Sequence, residues 1–329
     1  MDDVKIYRDI QKALEKSENI LIITHKKPDG DALGSSCGFH HALRLIGKKN
    51  TMACIDTAPE YLKFLPGIDE LQNDFNLEEY DVVVTLDCGA FYMSKFHEKH
   101  ENLFSHEKRT VINIDHHPSN DFFGNINLVD THAASTSIII YKLLQFFQIP
   151  LNRDIASCLL TGIYTDTGSF MHSNTTSEVY KIAADLIKHG GKFRQIAKNC
   201  FCTTPITTMK LWGKILNNIK INEDGIIMSV ATQEDMKETH ATQEDISGVI
   251  DLLNSISDAK MSVLLAEDDH GNVKGSFRTQ KEDVDLSKIA GVFGGGGHKK
   301  AAGFMIPGRL EKEVRWKIVS QENKEKNFM

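Results

Sequence analysis

The sequence lacks any apolar run close to the roughly 18 residues that a membrane-spanning helix needs, so we expect no membrane partner. Its first twenty residues, MDDVKIYRDIQKALEKSENI, are charged and amphipathic, unlike a secretory signal. The six cysteines show no disulfide framework and are expected to stay as thiols in a reducing compartment. Cys200 and Cys202 have no second cysteine pair with which to form a metal site. These absences together predict a cytoplasmic protein.

The sequence also has fewer basic than acidic residues. The 38 Lys and Arg residues stand against 45 Asp and Glu residues, which gives a formal net charge of -7. A protein that coats long duplex nucleic acid carries a dominant basic stripe, so this class of function is not expected. The composition, with 41% hydrophobic and 25% charged residues, is ordinary for a globular protein. The length of 329 residues predicts about two domains at roughly 150 residues each.

The first half of the chain alternates β-branched runs with helical stretches. The runs NILIIT, DVVVTLD and TVINID are too apolar for a sheet with one solvent face, which indicates a parallel sheet covered on both faces. The second half opens with a predicted hairpin around Asp224-Gly225. We predict an α/β domain over 1–191, a helical linker over 192–214 and a smaller α/β domain over 215–329, with a cleft between the domains. We interpret the echo of ATQED, ten residues apart, as coincidence.

Acidic and histidine residues follow the predicted strands, where open α/β sheets place their chemistry. The first such loop, THKKPDGDALGSS, carries His25, Asp29 and Asp31. Because each later acidic residue also stands where an apolar segment stops, we expect all of them to meet at one edge of the sheet. The residues that follow the later segments are Asp87, Asp115, His116, His117 and Asp166.

Carboxylates crowded at one edge need a counter-charge, because like charges raise one another's pKa. Two divalent cations would supply +4 against the four acidic side chains Asp29, Asp31, Asp87 and Asp166. His25 and His116 would add neutral nitrogen ligands. Pro28 and Gly30 bend the first loop so that alternate residues face adjacent ions.

Each residue also has an ordinary structural explanation. Asp31 is well placed as the N-cap of the helix that begins ALGSS, and Asp166 could cap a turn through Gly168. The recurrence of acidic residues at consecutive element ends favours a shared metal site instead. Asp115, which neighbours two histidines, is expected to orient an imidazole rather than to bind a metal.

The ligand types limit the metal and the chemistry. Mixed carboxylate and imidazole donors suit Mn, Fe, Co or Zn better than Ca, which takes oxygen ligands alone. Two such ions roughly 3.5–4 Å apart clamp a phosphoryl group and lower the pKa of a bridging water towards about 7. The residues therefore predict a two-metal phosphoester hydrolase.

Four segments, HKKPDGDALGS, TLDCGA, IDHHPSN and TGIYTDTGSF, resemble in this order the motifs of the DHH phosphoesterase superfamily. The segments GSFRT and FGGGGHKKAAGF resemble its DHH-associated C-terminal domain, so the resemblance covers nearly the whole chain. The two-domain form is similar to bacterial nanoRNA oligoribonucleases that also act on adenosine 3',5'-bisphosphate. Related members of the superfamily cleave cyclic di-AMP or its linear product, pApA.

The resemblance implies two Mn²⁺ ions, with Mg²⁺, Co²⁺ or Zn²⁺ as substitutes. One ion would be held by His25, Asp29 and Asp87. The ligands of the other would be Asp31, Asp87, His116 and Asp166, so that Asp87 bridges the pair. The resemblance also implies catalytic roles for Asp87 and for His117, which would face the scissile phosphate. The C-terminal domain would close over the cleft and present Arg278 and the GGGGH loop.

The GGGGH loop supports phosphate binding on its own chemistry. Consecutive glycines let backbone N–H groups approach a phosphate without a Cβ in the way, and Arg278 could fork onto a terminal phosphate. The predicted substrate contacts are Gly295, Gly296, Gly297, His298 and Arg278. No Gly-Lys-Ser/Thr follows the glycines, so a Walker P-loop is excluded. A flexible turn is the ordinary alternative.

We therefore expect hydrolysis of short oligoribonucleotides and dinucleotides such as pApA to mononucleotides, and also of adenosine 3',5'-bisphosphate. The alternatives are a cyclic di-AMP phosphodiesterase, a manganese inorganic pyrophosphatase, a non-catalytic nucleotide sensor and a nucleic-acid-binding module. The sequence leaves open the physiological substrate, the polarity of digestion, the native metal and whether the chain forms a homodimer.

Overall fold

The computed structural model describes residues 2–105, 107, 109–201 and 204–313, so Cys202 lies outside the described residues. The chain divides into two compact units, Met1–Thr203 and Thr204–Met329. This boundary falls inside the segment 192–214, and the three-part division with a linker stays a prediction. Within the described ranges, no helix combines the length and the apolar character needed to cross a membrane.

The first unit is built on a parallel sheet. Its strands are β1 (Ile20–Ile23), β2 (Asn50–Ala53), β3 (Val82–Leu86), β4 (Thr110–Asp115) and β5 (Ile126–Val129). Its helices are α1 (Asp2–Lys16), α2 (Gly30–Leu45), α3 (Thr136–Phe146), α4 (Arg153–Asp166), α5 (Ser177–Lys188) and α6 (Phe193–Phe201). The five strands lie in the order β2-β1-β3-β4-β5, and every neighbouring pair is parallel.

Every residue of β1 and β3 is buried, because apolar layers pack on both faces of the sheet. Successive side chains of a strand point to opposite faces, so Ile22 joins the layer of Leu33 while Ile23 joins the layer of Phe96. Burying each such side chain contributes about 1.5–3 kcal/mol. The predicted parallel sheet with two covered faces is confirmed.

Helices α2 and α4 pack closely because glycines line their contact. A Cβ at Gly34 would lie 2.6 Å from the carbonyl oxygen of Cys158 and 2.8 Å from the backbone nitrogen of Gly162. A Cβ at Gly30 would overlap Thr165. The spacing of four residues places Gly30 and Gly34 on one helix face. This close approach brings the first turn of α2 beside the C-terminal end of α4.

The second unit is a mixed α/β unit. Its strands are β6 (Lys220–Ile221), β7 (Ile226–Ala231), β8 (Met261–Glu267), β9 (Asn272–Arg278), β10 (Gly296–Gly297) and β11 (Ala301–Pro307). Its helices are α7 (Ile206–Asn217), α8 (Gln233–Thr239), α9 (Val249–Asn254) and α10 (Leu286–Val292). The strand order is β10-β11-β9-β8-β7-β6, in which only the β7–β8 pair is parallel among the pairs described.

The second unit tests two local predictions made from the sequence. The hairpin around Asp224-Gly225 is confirmed, because β6 and β7 pair antiparallel on either side of it. The ATQED echo has a structural reason that the sequence analysis missed. Thr232 and Thr242 each begin a helical turn with a capping box, closed by Asp235 and Asp245 three residues later.

Candidate metal centre

The first loop aims two of its side chains at the carboxyl edge of the sheet. The Nδ1–H group of His25 donates to the carbonyl oxygen of Lys26 at 2.8 Å, and Nε2 lies 3.6 Å from Asp87 Oδ2. Asp29 is the N-cap of α2 and accepts hydrogen bonds from the N–H groups of Asp31 and Ala32, both at 3.0 Å. The alternative interpretation of Asp31 as the N-cap is therefore wrong, since Asp29 takes that place.

Asp31, in the first turn of α2, is fully buried, and its carboxylate reaches the N-terminus of α3. Its Oδ2 atom accepts from the N–H of Thr136 at 2.5 Å, and its Oδ1 atom accepts from the N–H of Ser137 at 2.9 Å. Both donors belong to the first turn of α3. Free N–H groups and the helix dipole stabilise an anion at such a position.

Asp87 lies at the centre of the edge and is only 2% exposed. Its backbone φ is +57°, a left-handed conformation that is uncommon outside glycine. Three imidazoles lie near the carboxylate. His116 Nε2 and His117 Nδ1 are 3.6 and 3.7 Å from Oδ1, whereas His25 is near Oδ2. The hydroxyl of Thr136 donates to the same Oδ1 atom at 3.1 Å.

Asp115 holds one of these imidazoles in place. Its Oδ1 atom accepts from Nδ1–H of His117 at 2.8 Å, and its Oδ2 atom accepts from the side-chain amide of Asn120 at 2.7 Å. Asp115 itself has no exposed surface, whereas the side chain of His117 is 35% exposed. The contact fixes the orientation of the His117 ring.

His116 carries an unsatisfied buried atom. Its Nδ1–H group donates to the carbonyl oxygen of Ala133 at 3.3 Å, which turns Nε2 towards the acidic edge. Nε2 lies 3.2 Å from Asp166 Oδ2, yet it makes no hydrogen bond within the described residues. A buried imidazole nitrogen that faces carboxylates without a hydrogen-bond partner fits a metal ligand, since the opposite N–H to a carbonyl is the usual support for one.

Three groups of side chains have ligand atoms within 4.8 Å of one another. They are His25, Asp29 and Asp87; Asp87, His116 and His117; and Asp31, His116 and Asp166. The structure thus brings together all six residues predicted as metal ligands, and Asp87 belongs to two groups. The group that contains Asp31 does not include Asp87, although the resemblance implies both as ligands of the same ion.

The acidic side chains of this edge repel one another. Burial and then the charges of Asp166 and Asp87 raise the pKa of Asp31, and burial followed by the charge of Asp87 raises that of Asp29. Burial, followed by the charges of Asp87 and Asp29, raises the pKa of Asp166 to about 6 despite its contact with His116. Asp166 also ends α4, where the helix dipole disfavours a negative charge. Such an arrangement is stabilised by cations.

The neighbouring carboxylates raise the pKa of the imidazoles and so favour their charged form. Burial lowers the pKa of His25, but the contact with Asp87 and the charges of Asp87 and Asp29 outweigh burial and raise it to about 9. Burial likewise lowers the pKa of His116, but contact with Asp166 and the surrounding carboxylate charges raise it to about 10. Protons therefore occupy these nitrogens near neutral pH in the absence of another cation.

The predicted substrate residues of the second unit lie near one another. Arg278 ends β9 and pairs in register with Ala301, the first residue of β11. Its Nε atom donates to Asp251 Oδ1 at 3.2 Å, and its side chain is one-third exposed. The exposed residue His298 lies in the turn between β10 and β11. Arg278 and His298 therefore share one end of this sheet.

Two glycines of the loop have a structural role in the pairing of β10 with β11. The N–H groups of Gly295 and His298 donate to the carbonyl oxygens of Ala290 and Ala301, at 2.9 and 2.7 Å, so neither is free to bind a phosphate. A Cβ at Gly295 would lie 2.7 Å from Phe304 Cα, and one at Gly297 would lie 2.6 Å from the oxygen of Ala301. These two glycines let β10 pack on β11. A Cβ at Gly294 or at Gly296 would meet nothing within 4 Å.

The comparisons with known proteins follow the same division of the chain. Residues 19–163 match the DHH family, N-terminal domain, and residues 220–325 match the DHHA1 domain. A bifunctional oligoribonuclease and PAP phosphatase NrnA from Thermus thermophilus is 32% identical over 308 residues, which are 93% of this chain and 89% of the relative. This chain belongs to the DHH family. The DHH family comprises metal-dependent phosphoesterase hydrolases.

Two further proteins are similar to this chain over nearly its whole length. The protein of the same name from Bacillus subtilis is 27% identical over 292 residues, which are 88% of this chain and 90% of the relative. A crystal structure of an exopolyphosphatase-related protein from Bacteroides fragilis superposes with a TM-score of 0.83 at 27% identity and covers 94% of this chain and 92% of that chain. The predicted fold class, the two domain types and the phosphoesterase class are confirmed.

Sequence reasoning missed several residues of this DHH centre. Thr136 and Ser137 bind Asp31 from more than 100 positions away along the chain, and Asn120 holds Asp115. The segment ASTSIII did carry a signal, because a serine before an apolar run is typical of an N-cap and hence of a helix start. Nothing in that pattern indicates which carboxylate the helix start receives.

Proposed function

We propose that this DHH-family member is a two-metal phosphoesterase that hydrolyses short oligoribonucleotides and dinucleotides such as pApA to mononucleotides, and also adenosine 3',5'-bisphosphate. One observation supports the proposal above all others: three ligand groups at a single edge of the sheet are linked, because Asp87 belongs to two of them and His116 also belongs to two. The names of the Thermus and Bacillus relatives favour the two substrate classes.

We propose that one ion is held by His25, Asp29 and Asp87. The ligands proposed for the other ion are Asp31, His116, Asp166 and the shared Asp87. Carboxylates mixed with imidazoles suit Mn, Fe, Co or Zn. From the resemblance to the family we propose Mn²⁺, for which Mg²⁺, Co²⁺ or Zn²⁺ could substitute. When bound, two divalent cations supply Lewis-acid activation of both the phosphate and the attacking water.

The chain itself supplies orientation and a proton donor. Asp115 fixes His117 through Nδ1, so that the other ring nitrogen is available to a phosphate oxygen or to the leaving group. The contact with Asp115 first, and then the charge of Asp87, raise the pKa of His117 against the opposing effect of burial. A protonated imidazole in this position stabilises negative charge as it develops on the phosphate.

We further propose that Arg278 and His298 bind the terminal phosphate of a substrate. A charge-assisted contact to phosphate is about twice as strong as a neutral hydrogen bond. Binding of a terminal phosphate would make the enzyme select chain ends, which favours linear pApA over cyclic di-AMP. Closure of the C-terminal domain over the centre, a homodimer and a cytoplasmic location stay predictions.

A single substrate panel tests the proposal. Purified protein in Mn²⁺ buffer is incubated with pApA, adenosine 3',5'-bisphosphate, cyclic di-AMP and pyrophosphate, with Asp87→Asn as the matched inactive control. We expect rapid release of AMP from pApA and from the bisphosphate, and little turnover of the other two. Phosphate release from pyrophosphate would favour a pyrophosphatase. Nucleotide binding without turnover would favour a sensor.

A further inference from the structure

Exposed aromatic rings gather on the two loops that follow metal-centre residues of the first unit. Phe91 and Tyr92, which follow Asp87 closely, are 39% and 55% exposed. Phe122, which follows His117 by five positions, is 60% exposed. Among the described aromatic side chains with comparable exposure, only Tyr180 and Phe293 lie elsewhere. Contiguous exposed apolar patches mark ligand-binding or interaction surfaces.

The two loops are hydrogen-bonded to each other and lie beside the candidate metal centre. The N–H of Asp121 donates to the carbonyl oxygen of Gly89 at 3.0 Å. Gly89 lies against the centre, since a Cβ there would be 3.7 Å from His117 Cβ. The N–H of Lys26, next to His25, donates to the oxygen of Met93 at 2.9 Å. Tyr92 is three residues from Gly89, a span of at most about 11 Å.

The network that orients His117 also holds Phe122. The side-chain oxygen of Asn120 accepts from the N–H of Phe122 at 2.8 Å, and the side-chain nitrogen of the same Asn120 donates to Asp115. Phe122 adopts a φ of +55°, a conformation that is unfavourable for a bulky residue. The fold thus retains a strained phenylalanine at the surface although its ring gains little burial.

Phe91 and Tyr92 belong to a cluster of packed aromatic side chains. Phe91 packs edge-on against His97, Phe104 and Phe123, with ring centroids 5.4, 5.7 and 6.4 Å apart. Tyr92 packs edge-on against Phe91 at 5.8 Å. Edge-on packing leaves the faces of the outer ring open to another flat group.

We propose that Tyr92 and Phe122 stack on the nucleobases that flank the phosphate held at the metal centre. The inference rests on the proposed function, because it takes a short oligonucleotide as the occupant. Stacking on aromatic faces accepts every base and needs no hydrogen-bond code. The two rings would therefore give affinity for nucleotides of any sequence and discriminate against phosphate compounds without bases.

Two substrates separate stacking from a general loss of structure. Steady-state kinetics of Tyr92→Ala and Phe122→Ala are measured with pApA and with a matched dinucleotide that has abasic sugars. We expect a roughly 5- to 150-fold fall in kcat/KM for pApA per ring, mostly in KM, and no change for the abasic substrate. Tyr92→Phe should keep wild-type values, and Tyr180→Ala is the control for an equally exposed ring. Equal losses on both substrates, or no loss on pApA, would overturn the proposal.

A binding measurement separates this proposal from the proposed function. The fluorescence of pApA that carries 2-aminopurine is followed during titration with protein in Ca²⁺ buffer. We expect quenching by the wild type and reduced quenching by both alanine variants. If the protein quenches the fluorescence but does not hydrolyse pApA in Mn²⁺ buffer, the proposed function is wrong and the stacking proposal still holds. Unchanged quenching in both variants, or none with the wild type, would refute stacking.

Discussion

The carboxylate of Asp31 lies 2.5 Å from the backbone nitrogen of Thr136, although the two residues are 105 positions apart. The contact places an acidic side chain of the first loop at the N-terminus of α3, beside Asp87 and Asp166. The contact depends on Gly162 in α4, because a Cβ there would overlap both Asp31 Oδ1 and Ser137 Oγ. The proposed metal centre therefore relies on close helix packing as much as on its candidate ligands.

Gly162→Ala tests this dependence. The added methyl group must displace Asp31 or Ser137, so we expect a loss of about 1–3 kcal/mol in the free energy of unfolding and weaker metal binding. Gly213→Ala is the matched control, because a Cβ at that helical glycine meets nothing within 4 Å. The control should gain about 0.5–1 kcal/mol. The free energy of unfolding of both variants is measured by denaturant titration. Equal losses in the two variants would contradict the packing argument.

Metal binding should release protons near neutral pH. The pKa values of His25 and His116, about 9 and about 10, lie above their usual value of 6.5. Both rings therefore carry a proton at pH 7 that a metal must displace, and metal affinity should rise with pH from 7 to about 9. Calorimetric Mn²⁺ titrations in buffers of different ionisation enthalpy measure the release. An Mn²⁺ affinity that does not change between pH 7 and about 9 would contradict the predicted proton release.

The same shifts predict how the metal-free protein responds to pH. A raised histidine pKa stabilises the fold fully below about pH 6.5, and the stabilisation is lost as the pH rises through about 9. The loss of these protons also leaves the acidic edge uncompensated. The melting temperature of the chelator-treated protein should therefore fall between pH 7 and pH 10. In excess Mn²⁺ the fall should disappear, and an identical fall with metal would contradict the prediction.

Asp115→Asn should separate orientation from metal binding. The amide cannot hold the His117 ring in the same way, so we expect kcat for pApA to fall roughly 10- to 100-fold. The metal content should stay at the wild-type value, because Asp115 belongs to none of the three ligand groups found among the described residues. Asp121→Asn, a change at a nearby acidic residue, is the control. Loss of metal from Asp115→Asn would show that Asp115 is a ligand.

Arg278→Ala should discriminate between substrates with and without a terminal phosphate. Loss of a charge-assisted contact costs about 1.5–3 kcal/mol, so we expect kcat/KM for pApA to fall while that for ApA stays unchanged. Lys274→Ala, on the same strand and exposed, is the matched control. Equal effects of Arg278→Ala on both substrates would exclude terminal-phosphate binding by this residue.

The strand ends of the first unit could be predicted from sequence because a local rule governs them. A buried β-branched run that stops at a polar residue marks the carboxyl edge of a parallel sheet, as at Asp87 and Asp115. Convergence of the candidate ligands at this edge then follows from the strand order. The ordinary function of the loop glycines was missed, because the pairing of β10 with β11 involves a contact between Gly295 and Phe304 that no local pattern encodes.

The support of the centre was missed for the same reason. Asp31 has a good local explanation as an N-cap, and only the tertiary structure gives that place to Asp29 and joins Asp31 to α3. The short side chains of Thr136 and Ser137 are typical of any helix start. Their partner is decided by the contact of α2 with α4, which brings together segments about 130 residues apart.

Counting metal ions in the active protein and in Asp87→Asn tests the central claim most directly. Elemental analysis and anomalous scattering on fully active wild-type protein should find two transition ions per chain at this edge, and Asp87→Asn, which removes the shared ligand, should retain neither ion nor activity. Full hydrolysis of pApA by protein with no metal at this edge, or by Asp87→Asn, would contradict the account.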